Sequence, residues 1–186
     1  MKIGFTGAGS TGKTTTLNLI KDEVNVPILP SSTREVFKKW NIKEDQQENM
    51  SPEDKLLLQN DIFDMRDRIE IEAGHSFISD RVLLDNFAYS LLRCYLAMGR
   101  EMVDSKEAQV LENLKTYDLL FYFPITFTPI QDEMRHANYA LLKTIDSIIY
   151  AFLTKHGFDF ITVPAGSPED RAKYVLSFIT EMESSK

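Results

Sequence analysis

With 186 residues, 43% of them AVILMFWYC, and a formal net charge of −7, the chain has the size and apolar mass of one domain (1–186) and is too hydrophobic to stay disordered. Its single cysteine, Cys94, excludes an intrachain disulfide and a cysteine-built zinc site. No apolar run approaches the roughly 20 residues that span a bilayer, and Met1–Gly7 lacks the apolar stretch of a signal peptide. A cytoplasmic protein with no membrane partner is therefore expected, and the acidic balance argues against a broad nucleic-acid-binding face.

Strand and helix signals alternate along the chain. Lys2–Thr6 is a predicted strand that runs into a glycine cluster, and Thr14–Lys21 follows as a helix with Leu17 and Ile20 on one face. Val26–Leu29 is a second strand, and polar Trp40–Met50 reads as a loop. Ser51-Pro52-Glu53-Asp54 opens a helix: hydroxyl cap, proline at the first helical position, then acids in the first turn. Leu58, Ile62, Met65 and Ile69 form its stripe, and Gly74 stops it.

Ser76–Ser79 is a third strand, with Asp80 and Arg81 directly behind it. The next helix carries Leu84, Phe87, Leu91 and Tyr95 in phase and ends near Gly99. Leu119–Phe123 is apolar throughout, as buried parallel strands are. Asn138–His156 is an amphipathic helix closed by Gly157, Phe160–Val163 is the last strand, and Ser167-Pro168-Glu169-Asp170 opens a final helix. Five strands separated by helices imply an α/β fold of three layers, a parallel sheet covered on both faces, with ligands at the carboxyl ends of the strands.

Gly7-Ala8-Gly9-Ser10-Thr11-Gly12-Lys13-Thr14 satisfies G-x-x-x-x-G-K-[ST] at every fixed position. The glycines let backbone N–H groups curl around phosphate oxygens, and the following helix aims its positive end at the same anion. Gly7, Ala8, Gly9, Ser10, Thr11, Gly12, Lys13, Thr14 and Thr15 are therefore expected to bind the phosphates of ATP. Lys13 would neutralise the β- and γ-phosphates, and the Thr14 hydroxyl would hold Mg²⁺. Gly7, Gly9 and Gly12 also spell the dinucleotide fingerprint G-x-G-x-x-G. That reading wants an acid after the second strand, where the chain has Leu29-Pro30-Ser31-Ser32.

The other polar sites decide what the phosphates are used for. Asp80, at the end of a strand, is placed to orient Mg²⁺ or accept a proton from an attacking hydroxyl, with Arg81 beside it for an anionic substrate. Arg34 and Glu35 follow the second strand and are expected at the same edge. The segment 126–140 forms a candidate lid that carries Gln131, Asp132, Glu133, Arg135 and His136, and Arg135 would close over the γ-phosphate. Ala165 and Gly166, after the last strand, would pack on an adenine or simply lead into a helix cap. His75, His136 and His156 share no metal-ligand spacing, and Trp40 and Tyr89 fit either a pocket wall or the core.

At these residues the chain resembles known kinases. Thr33-Arg34-Glu35 is similar to the arginine-glutamate motif of thymidylate kinases, with Val36-Phe37 where proline-glycine usually follows. Asp80-Arg81, running through Asp85-Asn86 to Ala88-Tyr89, is similar to their aspartate-arginine motif. The layout as a whole resembles the compact AAA-labelled P-loop ATPase/kinase family, which includes ribosylnicotinamide-kinase-like and phage-type nucleotide kinases. Asp132-Glu133-Met134-Arg135 and Gly166–Arg171 also fit that family's habit. The resemblance implies a five-stranded nucleoside-monophosphate-kinase-like fold with a small lid, and use of ATP and Mg²⁺.

The expected activity is transfer of the γ-phosphoryl group to a nucleoside or (deoxy)nucleoside monophosphate. Lys13, Asp80 and Arg135 would be catalytic, Thr14 and Asp80 would hold the metal, and Arg34, Glu35 and Arg81 would bind the acceptor. Two arginines near the acceptor suggest that it already carries phosphate. The alternatives are a hydroxymethyl-pyrimidine acceptor within DNA and a regulatory ATPase acting through partners. The Asn-Lys-x-Asp guanine motif of a Ras-type switch is absent, and a homodimer is left open.

Overall fold

The computed structural model describes residues 1–126 and 138–184. Most of the candidate lid, including Arg135 and its neighbours Gln131, Asp132, Glu133, Met134 and His136, lies outside the described residues.

Five parallel strands form one sheet in the order β2-β3-β1-β4-β5. They are β1 (Lys2–Thr6), β2 (Ile28–Leu29), β3 (Phe77–Asp80), β4 (Leu119–Tyr122) and β5 (Ile161–Thr162). The helices among the described residues are α1 (Lys13–Ile20), α2 (Ser32–Trp40), α3 (Pro52–Ala73), α4 (Leu83–Cys94), α5 (Arg100–Leu114), α6 (Tyr139–Lys155) and α7 (Pro168–Ser184). This is the three-layer α/β arrangement expected from the alternating pattern. None of the described helices is long and apolar enough to cross a membrane.

Strand residues alternate between two cores. Ile3, Phe5, Ile78, Phe121 and Phe123 pack with Leu17 and Ile20 of α1 and with Ala172, Val175 and Ile179 of α7. Leu120 and Tyr122 face the other way, onto Phe63 of α3, Leu84 and Phe87 of α4, Val110 of α5 and Ile145 and Ile149 of α6. A third cluster, Val36, Leu58 and Ile62, seats α2 on α3.

The local start signals act as their chemistry dictates. The Ser51, Asn138 and Ser167 side chains accept hydrogen bonds from Asp54 N (3.0 Å), Leu141 N (3.1 Å) and Asp170 N (3.1 Å). Helix α1 differs: it begins on Gly12 with no side-chain cap. Its first turn lies at the carboxyl edge of the sheet.

Several elements depart from the sequence reading. The second strand is shorter than Val26–Leu29 because Pro27 has no N–H for the ladder and only accepts, from Ile78 N at 2.9 Å. The Trp40–Met50 loop contains a 3₁₀ turn, Glu44–Asn49. The helix expected to run to Gly99 stops at Cys94, which leaves Tyr95 66% exposed. Helix α5 was not anticipated. Its buried positions are Lys106, Val110 and Leu114, too sparse a stripe to stand out among charged residues. Lys106 lies buried with Nζ 3.9 Å from the Phe63 ring centroid. The buried stripe of α3 is rotated from the one expected: it runs through Leu58, Gln59, Ile62, Phe63, Arg66 and Glu70.

Candidate active site

The loop between β1 and α1 needs its glycines. Gly7 has φ +137°, and a Cβ there would stand 2.4 Å from the Phe123 carbonyl oxygen. Gly12 has φ +88°, and a Cβ there would meet Arg171 at 2.6 Å. Only glycine fits both the dihedrals and the space, so the backbone closes into a cradle at the N-terminal end of α1.

Lys13 is buried and turns its Nζ into this loop, donating to Gly7 O (2.7 Å), Ala8 O (2.6 Å) and Thr11 Oγ1 (3.0 Å). The Thr14 hydroxyl donates to Asp80 Oδ2 at 2.7 Å. A hydroxyl from α1 and a carboxylate from the end of β3 thus lie within the span of one hard cation. Among the described residues, no group of three or more His, Cys, Asp and Glu can hold a metal. An ion at Thr14 and Asp80 would complete its shell with phosphate oxygens and water, as Mg²⁺ does in phosphoryl-transfer sites. The cradle, the lysine and this oxygen pair fit ATP and Mg²⁺.

A second tier of residues holds the cradle. Asp85 is fully buried and bridges it to α4: Oδ1 accepts from Gly7 N and Oδ2 from Val82 N, both at 3.0 Å. Arg81 Nη1 lies 3.7 Å from Asp85 Oδ1. The Arg81 guanidinium sits 5.4 Å over the Tyr89 ring, and the Tyr89 hydroxyl accepts from Gly9 N at 3.1 Å. Burial works against the Arg81 charge, but Tyr89, Asp85 and Asp80 outweigh it and hold the group more firmly protonated than an ordinary arginine. Arg93 reaches the same ring at 5.8 Å. Arg171, buried in α7, lies 5.0 Å over Phe123 and against Gly12. Burial lowers its pKa.

Lys13, Thr14, Asp80 and Arg81 therefore gather at one edge of the sheet. Tyr89 meets Gly9 N there with its hydroxyl and packs its ring against the core, and Trp40 bonds Asp61 elsewhere. Arg34 and Glu35 are exposed on the first turn of α2. Ala165 and Gly166 are exposed in the loop after β5, where Ser167 caps α7.

Asp85, Arg66 and Arg171 carried no separate role in the sequence reading. Asp85 was visible only as part of a motif. Arg66 and Glu70 stand four residues apart on the apolar stripe of α3, a spacing that would have marked them. Arg171 was likewise visible only as the last residue of the Gly166–Arg171 stretch.

The phosphate cradle on the first βα turn of a 2-3-1-4-5 parallel sheet defines a P-loop α/β domain. The chain belongs to the AAA domain family, whose model matches residues 2–171. Its fold is that of small P-loop kinases. The deoxyadenosine kinase of M. mycoides, solved with dCMP and dCDP as products, superposes with TM-score 0.74 at 16% identity, over 98% of this chain and all of that one. Thymidylate kinase from Candida albicans gives 0.65 at 12% identity, over 100% of this chain and 93% of that one. The NadR protein in complex with NR gives 0.65 at 17% identity, with 97% of this chain matching 50% of that protein. No curated protein matches the chain by sequence.

Proposed function

We propose that this chain is an ATP-dependent kinase that transfers the γ-phosphoryl group to a nucleoside or (deoxy)nucleoside monophosphate. The observation that carries the reading is the 2.7 Å contact between Thr14 Oγ1 and Asp80 Oδ2 beside the glycine cradle. It joins a metal-binding hydroxyl to a strand-end carboxylate where phosphates would lie. The deoxyadenosine kinase and thymidylate kinase folds support the same acceptor class.

In this reading the Gly7–Thr15 loop binds the phosphates through backbone N–H groups other than those of Gly7 and Gly9, which Asp85 and Tyr89 hold, and Lys13 leaves its loop carbonyls to neutralise the β- and γ-oxygens. Thr14 and Asp80 would hold Mg²⁺, whose chemistry is to offset charge on the transferring group. Asp80 orients the acceptor hydroxyl and takes its proton as the oxygen bonds to the γ-phosphorus and the bond to the β-phosphate oxygen breaks. Arg81 faces the acceptor, with Arg34 and Glu35 at the rim of the same edge. Arg135 covers the γ-phosphate from the lid, and Ala165 and Gly166 contact the adenine.

The test is an ADP-release screen with ATP, Mg²⁺ and three acceptor sets: nucleosides, nucleoside monophosphates and hydroxymethyl-pyrimidine DNA. Acceptor-dependent release with either of the first two supports the reading. Release with the DNA alone replaces it with DNA modification. ATP binding without transfer to any acceptor replaces it with a regulatory ATPase.

A further inference from the structure

The side chain that organises the catalytic edge lies outside it. Arg66 is 0% exposed in the middle of α3. Its Nη1 donates to Ser79 Oγ at 2.9 Å, and its Nη2 donates to Pro30 O at 2.6 Å and Asp80 O at 3.2 Å. One guanidinium thus ties together the carboxyl ends of β2 and β3. The link continues: the Ser79 hydroxyl donates to Arg81 O at 2.6 Å.

The position of these bonds matters because the chain turns sharply here. Arg81 has φ +84°, a left-handed conformation that a long side chain adopts only when its surroundings impose it. Arg66 grips the carbonyls on both sides of that residue's N–H, Asp80 directly and Arg81 through Ser79. Arg81 N is itself bonded to Phe5 O at 3.1 Å. The turn is therefore held from α3 and from β1 at once, and it is the turn that aims the Asp80 carboxylate at Thr14 and the Arg81 guanidinium at Tyr89.

The charge of Arg66 is balanced from the far side. Glu70 Oε1 lies 4.0 Å from Nε, and Glu70 Oε2 accepts from Asn113 Nδ2 at 2.7 Å. The guanidinium's closest bonds go to the turn and the strand end rather than to its counter-ion. A planar fork with fixed donors suits acceptors spread over two strands; an ammonium could meet only some of them, and an apolar chain of equal volume none.

We infer that Arg66 is the positioning residue of the phosphoryl-transfer site, setting the distance between Asp80 and Thr14 through the Arg66–Ser79–Arg81 chain and so tuning the affinity for Mg²⁺. The part of this that concerns turnover rests on the kinase reading above; the part that concerns the metal does not.

The test uses the full chain with Arg66→Met, Arg66→Lys and Ser79→Ala. ATP binding is titrated calorimetrically with and without Mg²⁺, alongside thermal melts and steady-state kinetics. Arg66→Met is expected to raise the Mg²⁺ concentration for half-maximal ATP binding by about 10-fold or more, the usual consequence of losing a residue that orients a metal ligand. Metal-free ATP binding should stay within about twofold, and kcat should fall with little change in KM for ATP. Arg66→Lys should recover part of both losses. Ser79→Ala keeps the guanidinium and its bonds to Pro30 O and Asp80 O but removes the hydroxyl that accepts from Arg66 Nη1 and donates to Arg81 O, so it should shift the Mg²⁺ requirement in the same direction by a smaller factor. If Arg66→Met does not fold, Ser79→Ala decides alone. A Mg²⁺ requirement equal to wild type in the folded variants overturns the inference. Failure of every acceptor in the wild type would instead remove the kinase reading and leave the metal titration decisive for Arg66.

Discussion

Asp85→Asn offers the most direct reading of how the phosphate cradle is held. The aspartate is fully buried, and each oxygen accepts a backbone N–H at 3.0 Å, Gly7 N on one side and Val82 N on the other. Asparagine has the same shape but only one acceptor, so one of the two N–H groups would face a donor. A buried donor left unpaired costs about 1–3 kcal/mol. The substitution also removes the anion 3.7 Å from the largely buried Arg81 guanidinium. Breaking a buried pair by deleting one partner brings the total to about 3–5 kcal/mol. At about 2–4 °C per kcal/mol for a chain of this size, the melting temperature should fall by roughly 6–20 °C. With a typical reserve of about 5–15 kcal/mol the variant should still fold. Its ATP affinity should fall about tenfold, because Gly7 loses the tether that fixes the start of the loop. The assays are thermal unfolding by circular dichroism and ATP titration calorimetry. A melting temperature within about 2 °C of wild type, with ATP affinity unchanged, would refute the view that Asp85 holds the cradle to α4.

Lys13→Ala should abolish measurable transfer, by about 10²-fold or more, while the melt shows a retained fold; appreciable turnover would remove Lys13 from the mechanism. Arg135→Ala, designed from the sequence alone, should lower kcat by about 10³-fold with KM for ATP nearly unchanged, and an unchanged kcat would exclude a lid arginine. The Asp61 carboxyl is held below the ordinary aspartate value, first by the Trp40 indole N–H at 2.9 Å and then by Lys39 at 3.1 Å. A depressed folded pKa stabilises above the unfolded value of 3.8 and loses that stabilisation as pH falls through the folded value. Asp61→Asn should therefore lower urea stability at pH 7, with the gap to wild type closing in acid. Trp40, the only tryptophan, supplies the fluorescence signal, and a gap independent of pH would refute the assignment.

A net charge of −7 coexists with a sheet edge that gathers two cationic side chains beside the Asp80 and Asp85 carboxylates. Lys13 and Arg81 reach it from α1 and the end of β3, and each is compensated by nearby acceptors: loop carbonyls for Lys13, the Asp85 carboxylate for Arg81. Phosphate binding at this edge would exchange such internal partners for ligand oxygens.

The parts of the protein legible in its sequence are those whose physics is local. Gly7–Thr14 could be read because the glycine dihedrals, the lysine and the hydroxyl must sit at fixed offsets on one turn. Ser51-Pro52 and Ser167-Pro168 could be read because a helix cap is satisfied within three residues. Leu119–Phe123 could be read because a strand buried on both faces is apolar on both. The single parallel sheet followed from the alternation of such segments. The rest depended on which distant residues meet. The 2.7 Å contact of Thr14 with Asp80 spans 66 positions, and the bond from Gly7 to Asp85 spans 78. Helix α5 was missed because its exposed, charged face hides a stripe of three buried residues, one of them a lysine. Arg66 gave the opposite signal, a charge on an apolar stripe, and became intelligible only once the sheet order put β2 beside β3 and supplied their strand-end acceptors. Local spacing marked out the glycine cradle as a candidate phosphate site; the packing of α3 and α4 against the strand ends decided which carboxylates and guanidinium groups surround it.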